Sequence, residues 1–285
     1  VGNTANTLAL INIDQDTTFS GSVEATDINN AASTTATFSD NVTATITNSG
    51  TLLFDATDAK SVTGTIAEAA GGDTTEVQVI NSANSEAPSV VTFTSTVAAD
   101  TLTIGTTTYG GAALFEEAVT TPTINVVGGD HADEDSTATF NKAVTASSGI
   151  TLNDQTGDAK VIFAANNSVT ITGTIDGASS DEGTIQVTGA TKTFKNVIGS
   201  TSVGTLNIDD TSTFNEAISA TNINVASGIT ATAKNAITAT AIVLDGGTLE
   251  LSTTTSYIEE VLPATKPTYK LSSPLKLVFR FISYA

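Results

Sequence analysis

The chain has 285 residues, with 30 Asp and Glu against 10 Lys and Arg, which gives a formal net charge of −20 at pH 7. It contains no Cys and one His, so disulfides, thiol nucleophiles and Cys-ligated metal sites are excluded. The shortage of cations argues against nucleic acid as a partner, because that binding depends on Lys and Arg neutralising phosphates. No run approaches the roughly 18 apolar residues of a membrane helix, so the sequence predicts no transmembrane segment.

The composition favours β-structure. Charged residues make up only 14% of the chain and hydrophobic residues 39%, and there are 55 threonines. Thr, Val and Ile are β-branched and suit a pleated sheet better than a helix, so we expect an all-β protein. Because the sequence starts with Val1 and contains no Met, we also expect that a leader has been removed. Secretion is the simplest cause, which predicts an extracellular protein.

A short repeat recurs along the chain from residue 19 onward. In each copy a Phe is followed four residues later by Val or Ile, and the seven copies are Phe19/Val23, Phe38/Val42, Phe93/Val97, Phe115/Val119, Phe140/Val144, Phe194/Ile198 and Phe214/Ile218. Residues 214–225 align without a gap on residues 233–244, with Ala233 in the position of Phe214. A unit of this length predicts a parallel β-solenoid, with coils of about 19–25 residues that each hold two or three short strands.

Parity within a unit predicts where the chain bends. Phe214, Ile218 and Ala220 have the same parity, which predicts one strand that points all three side chains to one face. The next apolar residues have the opposite parity, so we expect a corner near Thr221 and Asn222.

A longer repeat overlays the short one. Residues 11–29 (INIDQDTTFSGSVEATDIN) align without gaps on residues 206–224, and the block 38–126 maps on the block 140–225 with offsets of about 100 residues. That length also suits an immunoglobulin-like fold, so tandem Ig-like β-sandwiches are the alternative. The solenoid is the better interpretation, because the short unit repeats inside the long one. We therefore predict a repeat body over residues 1–258.

The C-terminal stretch differs from this body. All 30 acidic residues lie at or before Glu260, whereas the last 20 residues hold four of the 10 cations. Three prolines predict a linker over residues 259–274. Residues 275–285 (LKLVFRFISYA) then alternate as a strand, with the candidate assembly residues Leu275, Leu277, Phe279, Arg280 and Phe281.

Two roles are open for this predicted strand. It could cap the last coil of its own chain, which blocks pairing at an open edge. Alternatively, it could add to a neighbouring subunit by β-augmentation, and a head-to-tail contact that does not close makes a homopolymeric filament.

One loop is a candidate metal site. Residues 128–135 (GGDHADED) form the densest group of acids and contain the single His. Oxygen ligands in a Gly-rich loop suit Ca²⁺, so Asp130, Asp133 and Asp135 are the candidate ligands. The spacing matches neither an EF-hand nor the nonapeptide Ca²⁺ repeat, and a solvated acidic loop is the alternative. We predict no other cofactor.

Catalysis is not expected. A polysaccharide-cleaving solenoid needs acids that converge on a groove with basic and aromatic partners, whereas the single Arg of this chain lies near the C-terminus. The sequence therefore predicts a non-enzymatic protein.

The recurring TFNxAVTA…INV unit resembles the repeats of large bacterial surface proteins, including rickettsial-type surface antigens and autotransporter passenger domains. Residues 244–252 (LDGGTLELS) are similar to the strand repeat of such passengers. The resemblance implies a right-handed β-solenoid displayed at a bacterial or archaeal cell surface. A short basic strand stands where a translocating barrel would follow, which favours a stand-alone subunit. We therefore expect a self-assembling subunit of a surface filament or surface layer. The alternative is an adhesin that binds a host or neighbouring-cell ligand.

Overall fold

The computed structural model describes residues 1–2, 6–55, 57–71, 74–83 and 88–252, and the backbone of residues 258–259. Over this part of the chain there is no helix, so none that could cross a membrane. The strands are β1 (Leu8–Ile13), β2 (Thr17–Phe19), β3 (Val23–Asn30), β4 (Thr35–Phe38), β5 (Val42–Asn48), β6 (Thr51–Asp55), β7 (Lys60–Thr63), β8 (Ile66–Glu68), β9 (Glu76–Ile80), β10 (Val90–Phe93), β11 (Val97–Ala98), β12 (Thr101–Ile104), β13 (Ala112–Phe115), β14 (Val119–Thr120), β15 (Thr123–Val127), β16 (Ser136–Phe140), β17 (Val144–Thr145), β18 (Gly149–Asn153), β19 (Ala159–Phe163), β20 (Val169–Thr172), β21 (Ile175–Gly177), β22 (Glu182–Val187), β23 (Lys192–Phe194), β24 (Ile198–Ile208), β25 (Ser212–Phe214), β26 (Ile218–Val225), β27 (Thr230–Ala233), β28 (Ile237–Leu244), β29 (Thr248–Leu251) and β30 (Ile258–Glu259).

The strands stack into three parallel sheets around one interior. Sheet 1 contains β2, β4, β6, β9, β12, β15, β18, β21, the first halves of β24, β26 and β28, and β30. Sheet 2 contains the first halves of β3 and β5, then β7, β10, β13, β16, β19, β22 and the second halves of β24, β26 and β28. Sheet 3 contains β1, the second halves of β3 and β5, then β8, β11, β14, β17, β20, β23, β25, β27 and β29.

The chain visits the sheets in the order 1, 2, 3 and repeats this for about 10 coils, so the predicted parallel β-solenoid is confirmed. Every described strand pair is parallel. An immunoglobulin-like sandwich is built from antiparallel strands, so that alternative is wrong.

Residues that align in the short repeat are paired with each other in the parallel sheets. Phe214 pairs with Ala233, and Phe19 pairs with Phe38. Coil length varies more than the expected 19–25 residues. Register partners are 16 residues apart at Phe38 and Phe54, and 31 apart at Val62 and Phe93. Corner loops absorb this difference, because the strands themselves must stay in register to keep their side chains inward.

The Phe-to-Val unit marks a corner of the coil. In all seven copies the Phe is the last residue of one strand and the Val or Ile is the first residue of the next. The prediction that Phe214 and Ile218 share one strand is therefore wrong, since β25 ends at Phe214 and β26 begins at Ile218. Both side chains are still buried, because all three sheets face one interior. The predicted corner at Thr221 and Asn222 is present as a change of parity inside β26, whose burial alternates before and after it.

The long repeat rotates the sequence from one sheet to the next. Phe38 lies in sheet 1, and Phe140, its equivalent one repeat later, lies in sheet 2. Strand β16 comes twelve strands after β4 in the chain. Because β5 bends and belongs to two sheets, it counts as two segments, so one long repeat contains thirteen strand segments. Thirteen is one more than four full coils of three. Each repeat of about 100 residues is therefore turned by a third of a coil, and the three sheets present related sequences.

A column of phenylalanine rings runs through the interior. Neighbours in one sheet stack face to face, with centroids 4.9–5.9 Å apart and interplanar angles of 7–22°. Where the column passes between sheets, from Phe54 to Phe93 and from Phe163 to Phe194, the rings meet edge to face at 90° and 78°. Both geometries are favourable for aromatic pairs. The column consists of Phe19, Phe38, Phe54, Phe93, Phe115, Phe140, Phe163, Phe194 and Phe214.

A few polar side chains are buried with this core. Asn30 donates from Nδ2 to Asn48 Oδ1 at 2.9 Å, and Asn48 Nδ2 donates to the Gly50 carbonyl. The two side chains thus link adjacent coils at a corner by hydrogen bonds. The Lys192 ammonium donates to the carbonyl oxygens of Ala165, Thr188 and Ala190. Burial lowers the pKa of Lys192, which the nearby Asp210 carboxylate partly opposes. These side chains hydrogen-bond to backbone carbonyls of the loops from within the core, because buried polar groups are nearly always hydrogen-bonded.

The aromatic column predicts the effect of a truncation in its centre. Phe115 is fully buried and stacks on Phe93 at 4.9 Å and on Phe140 at 5.1 Å. We expect Phe115→Ala to lower the free energy of unfolding by about 3–5 kcal/mol, through lost burial and the cavity left behind. Phe19→Ala is the matched control, because Phe19 is only partly buried and has one ring neighbour in the column. Urea unfolding followed by circular dichroism measures both, and equal losses would contradict the role of the column.

Candidate functional site

The acidic loop 128–135 lies at the corner between β15 of sheet 1 and β16 of sheet 2. It folds tightly, because the Gly129 amide donates to the Glu134 carbonyl at 2.9 Å and the Glu134 amide donates to the His131 carbonyl at 3.1 Å. Glu134 is 1% exposed, and a Cβ on Gly129 would lie 2.5 Å from its Oε2 atom. The glycine at position 129 is therefore required by the buried carboxylate.

This fold regroups the predicted Ca²⁺ ligands. Asp130 lies with His131 and Glu134, whose candidate ligand atoms are all within 4.8 Å of one another. Asp133 and Asp135, which the sequence predicted as its partners, are not members of that group. An imidazole beside two carboxylates suits a transition metal better than Ca²⁺, which prefers an all-oxygen shell. Ca²⁺ binding by this loop stays a prediction.

Asp135 instead belongs to a second carboxylate group on the next coil. Its Oδ1 accepts a hydrogen bond from the Asp158 amide at 2.8 Å. Partial burial of the carboxyl raises the pKa of Asp158, and the negative charges of Asp135 and Asp154 raise it further. Asp154 is itself held by the amides of Ala159 and Gly183, at 2.7 and 2.8 Å. Stacking thus brings together acids that lie far apart in sequence.

The second candidate site is the free edge of β1, which we call the N-terminal edge. Strand β1 pairs with β3 on one side, and no described strand pairs with its other side. Leu8 and Leu10 on this strand are 42% and 48% exposed, among the few exposed large apolar residues of the described chain. Exposed apolar side chains on a strand with one described neighbour are typical of an edge that can accept another strand.

The predicted assembly strand is not in the part of the chain that the structure describes. Leu275, Leu277, Phe279, Arg280 and Phe281 lie outside the described residues, as does the predicted linker beyond residue 259. The sequence itself indicates this strand, because residues 8–13 form a short β run that enters in mid-repeat without an evident polar cap. Its signal was present in the alignment of residues 11–29 on residues 206–224, which makes β1 equivalent to a strand deep inside the ladder.

The comparisons with known proteins identify no relative. No protein-family model, no curated protein and no solved structure matches the chain. The resemblance to bacterial surface repeats stays a prediction.

The carboxylates around Asp158 predict that removing the charge of this residue raises thermal stability in a pH-dependent way. A folded-state pKa above the unfolded value means that the native state holds the proton more tightly, so this group costs stability at neutral pH and the cost disappears in acid. We expect Asp158→Asn to raise the thermal midpoint at pH 7, and we expect the gain to vanish as the pH falls below the ordinary pKa of an Asp carboxyl.

Asp133→Asn is the control for this measurement, because it removes one charge from the neighbouring loop without touching the group around Asp158. Differential scanning calorimetry in buffer with EDTA gives both midpoints. A lower midpoint for Asp158→Asn at pH 7 would show that this carboxylate stabilises the corner.

Proposed function

We propose that the protein is a non-enzymatic, extracellular structural protein, and that it assembles head to tail into a surface filament or surface layer through its C-terminal strand. The observation that carries the proposal is the N-terminal edge. A parallel ladder is extended by the same hydrogen bonds that hold its interior strands, so an edge with exposed leucines and no neighbour among the described strands favours addition of another strand.

The distribution of apolar residues supports self-assembly. One continuous interior takes up nearly all of the large apolar side chains of the described body, which leaves Val1, Leu8, Leu10, Val90 and Val243 as the exposed ones. The side walls therefore offer little apolar surface. Further apolar residues are concentrated in residues 275–281, outside the described part of the chain. A contact between an end of the solenoid and this segment uses the apolar surface that remains.

The charge distribution also supports a head-to-tail contact. The 30 acidic residues all lie at or before Glu260, and Lys266, Lys270, Lys276 and Arg280 follow it. Opposite charges at the two parts of the chain attract one copy to the next, and like-charged bodies repel side by side. This arrangement favours a linear, head-to-tail contact over lateral aggregation.

Display at a bacterial or archaeal cell surface rests on the resemblance of the TFNxAVTA repeats to those of large bacterial surface proteins. The adhesin alternative rests on that same resemblance. The two functions differ in whether isolated chains assemble, and that difference can be measured directly.

A truncation separates the two proposals. We expect the full chain to form filaments or sheets, and a chain ending at Thr265 to remain monodisperse, because it lacks the predicted strand. Multi-angle light scattering and negative-stain electron microscopy measure this. The double variant Leu277→Asp, Phe279→Asp keeps the chain length and is expected to behave like the truncation. If the full chain and the truncation are both monodisperse rods, self-assembly is wrong and the adhesin function takes its place.

A further inference from the structure

We propose that Asn166 is an acceptor for an N-linked oligosaccharide, which an enlarged corner of the coil holds away from the side wall of the solenoid. This inference rests on the extracellular location in the proposed function and adds a modification site to it. Four observations carry the inference: the acceptor motif, the added length of the corner, the anchored base of the loop and the absence of charge around the motif.

The first observation is the acceptor motif itself. An acceptor Asn is followed two residues later by Ser or Thr, with any residue except Pro between them. The pattern occurs twice in the sequence, at residues 41–43 (Asn-Val-Thr) and at residues 166–168 (Asn-Asn-Ser). The structure separates the two copies, because the transferring enzyme must reach the side-chain amide of the Asn.

The second observation is the length of the corner that carries Asn166. This corner connects β19 of sheet 2 to β20 of sheet 3. In the preceding coil the same corner runs from Phe140 to Val144, which are four residues apart. Their register partners, Phe163 and Ile171, are eight residues apart, so the corner with Asn166 is four residues longer.

The added length places the motif at the surface. Residues 166–168 are all exposed, whereas Ala165 directly before them is buried. Within the described part of the chain, the Asn166 side chain makes no hydrogen bond. Exposed loops are where a bulky group can be added without disturbing the scaffold. The amide nitrogen of Asn166 is therefore open to an enzyme.

The third observation is that the base of this loop is held from within the core. The buried ammonium of Lys192, in the next coil, donates to the Ala165 carbonyl at 2.9 Å and to the Thr188 carbonyl at 2.8 Å. The corner of that coil packs directly against the loop, since a Cβ on Gly189 would lie 2.5 Å from the Ala165 oxygen. The base of the loop is thus fixed while its tip lies in solvent, so a glycan at the tip displaces no packed group.

The fourth observation concerns charge. Residues 161–175 contain no Asp, Glu, Lys or Arg, although the chain has a net charge of −20. The donor of an N-linked glycan is a polyprenyl-phosphate-linked oligosaccharide, which is an anion. An anionic donor approaches an uncharged segment with less repulsion than it meets at the acidic corners.

The transfer makes one bond and breaks one. Nδ2 of Asn166 attacks the anomeric carbon of the first sugar, forms the C–N bond and loses one proton. The bond between that carbon and the phosphate oxygen of the donor breaks, and the lipid phosphate leaves with the electron pair. The Ser168 hydroxyl completes the motif that the enzyme recognises.

The same criteria exclude the other motif. Asn41 lies in a short corner between β4 and β5, and its Nδ2 atom already donates to Asp40 Oδ1 at 3.1 Å. Its Oδ1 atom accepts from the Ser61 amide of the next coil at 2.8 Å. Thr43, which completes that motif, lies inside β5 and is paired with a strand on each side. A glycan on Asn41 would break these contacts, so we expect Asn41 to stay unmodified in the folded chain.

Transfer in vitro to the folded full chain tests this assignment. The probes are a single-subunit oligosaccharyltransferase that accepts Asn-x-Ser/Thr sequences and a synthetic polyprenyl-diphosphate oligosaccharide. Intact-mass spectrometry counts the glycans, and trypsin locates them, because cleavage at lysines places the two motifs in residues 1–60 and 161–192. We expect one glycan per chain, on residue 166. We expect residue 41 to be modified at least about tenfold less, because its modification requires local opening of paired strands.

Substitutions at position 168 separate recognition of the motif from exposure of the loop. Ser168→Ala keeps Asn166 and removes the hydroxyl, so we expect it to abolish transfer to residue 166. Ser168→Thr is the matched control, because it keeps a hydroxyl at the same position and is expected to be modified like the parent chain. The two tryptic peptides, offered as substrates after digestion, are the reference in which no fold restrains either motif.

The outcomes separate this inference from the proposed function. Transfer to residue 166 of the folded chain, lost in Ser168→Ala and retained in Ser168→Thr, supports the site. A folded chain that stays unmodified, whether or not the peptide 161–192 is modified, overturns it, and so does equal modification of residues 41 and 166. Self-assembly is measured on the unmodified chain, so a failure of this site leaves the proposed assembly standing.

Discussion

A single coil of this solenoid exposes the top and bottom of every inward side chain until another coil covers it. Stacking in register removes that surface from water and pairs the backbone of each strand on both sides at once. The register pairs show how strictly this holds, since apolar residues such as Val126 and Leu152 face each other even where coil length changes. The varied loop lengths and the acidic corners follow from this stacking.

The aromatic column shows how a repeat sequence fits a three-sided coil. The long repeat contains thirteen strand segments, so a Phe that lies in one sheet in the first copy lies in the next sheet one copy later. The rings nevertheless remain in contact, because the interior is narrow enough for a side chain from any sheet to reach its centre. The change from stacked to edge-to-face geometry at Phe54–Phe93 and Phe163–Phe194 is the mark of each change of sheet.

The same stacking decides which surfaces remain for association. Side walls present Thr, Asn and carboxylates to water, and neighbouring acids such as Asp135 and Asp158 approach because their coils are adjacent. The edge of the ladder is different, since it exposes backbone donors and acceptors together with apolar side chains. In β1 the sequence is that of a strand paired on both sides elsewhere in the molecule, so the edge and the interior follow the same chemistry. That continuity supports the proposed head-to-tail contact.

Much of the fold could be predicted from residue order alone. The β-branched composition determined the strand content, and the spacing of Phe19 and Phe38 determined the coil, because a strand points alternate residues inward and a ladder keeps equivalent residues opposite each other. The pattern did not distinguish a continued strand from a corner at Phe214 and Ile218. All three sheets face one core, so the alternation of inward residues does not show to which sheet a residue belongs. The repeat pattern also did not identify Phe54 and Phe163 as members of the column, because neither is followed by Val or Ile four residues later. The grouping of Asp130 with His131 and Glu134 and the pair formed by Asp135 and Asp158 were decided by the tertiary structure alone. Each depends on how one coil lies on the next, and a linear sequence does not state that distance.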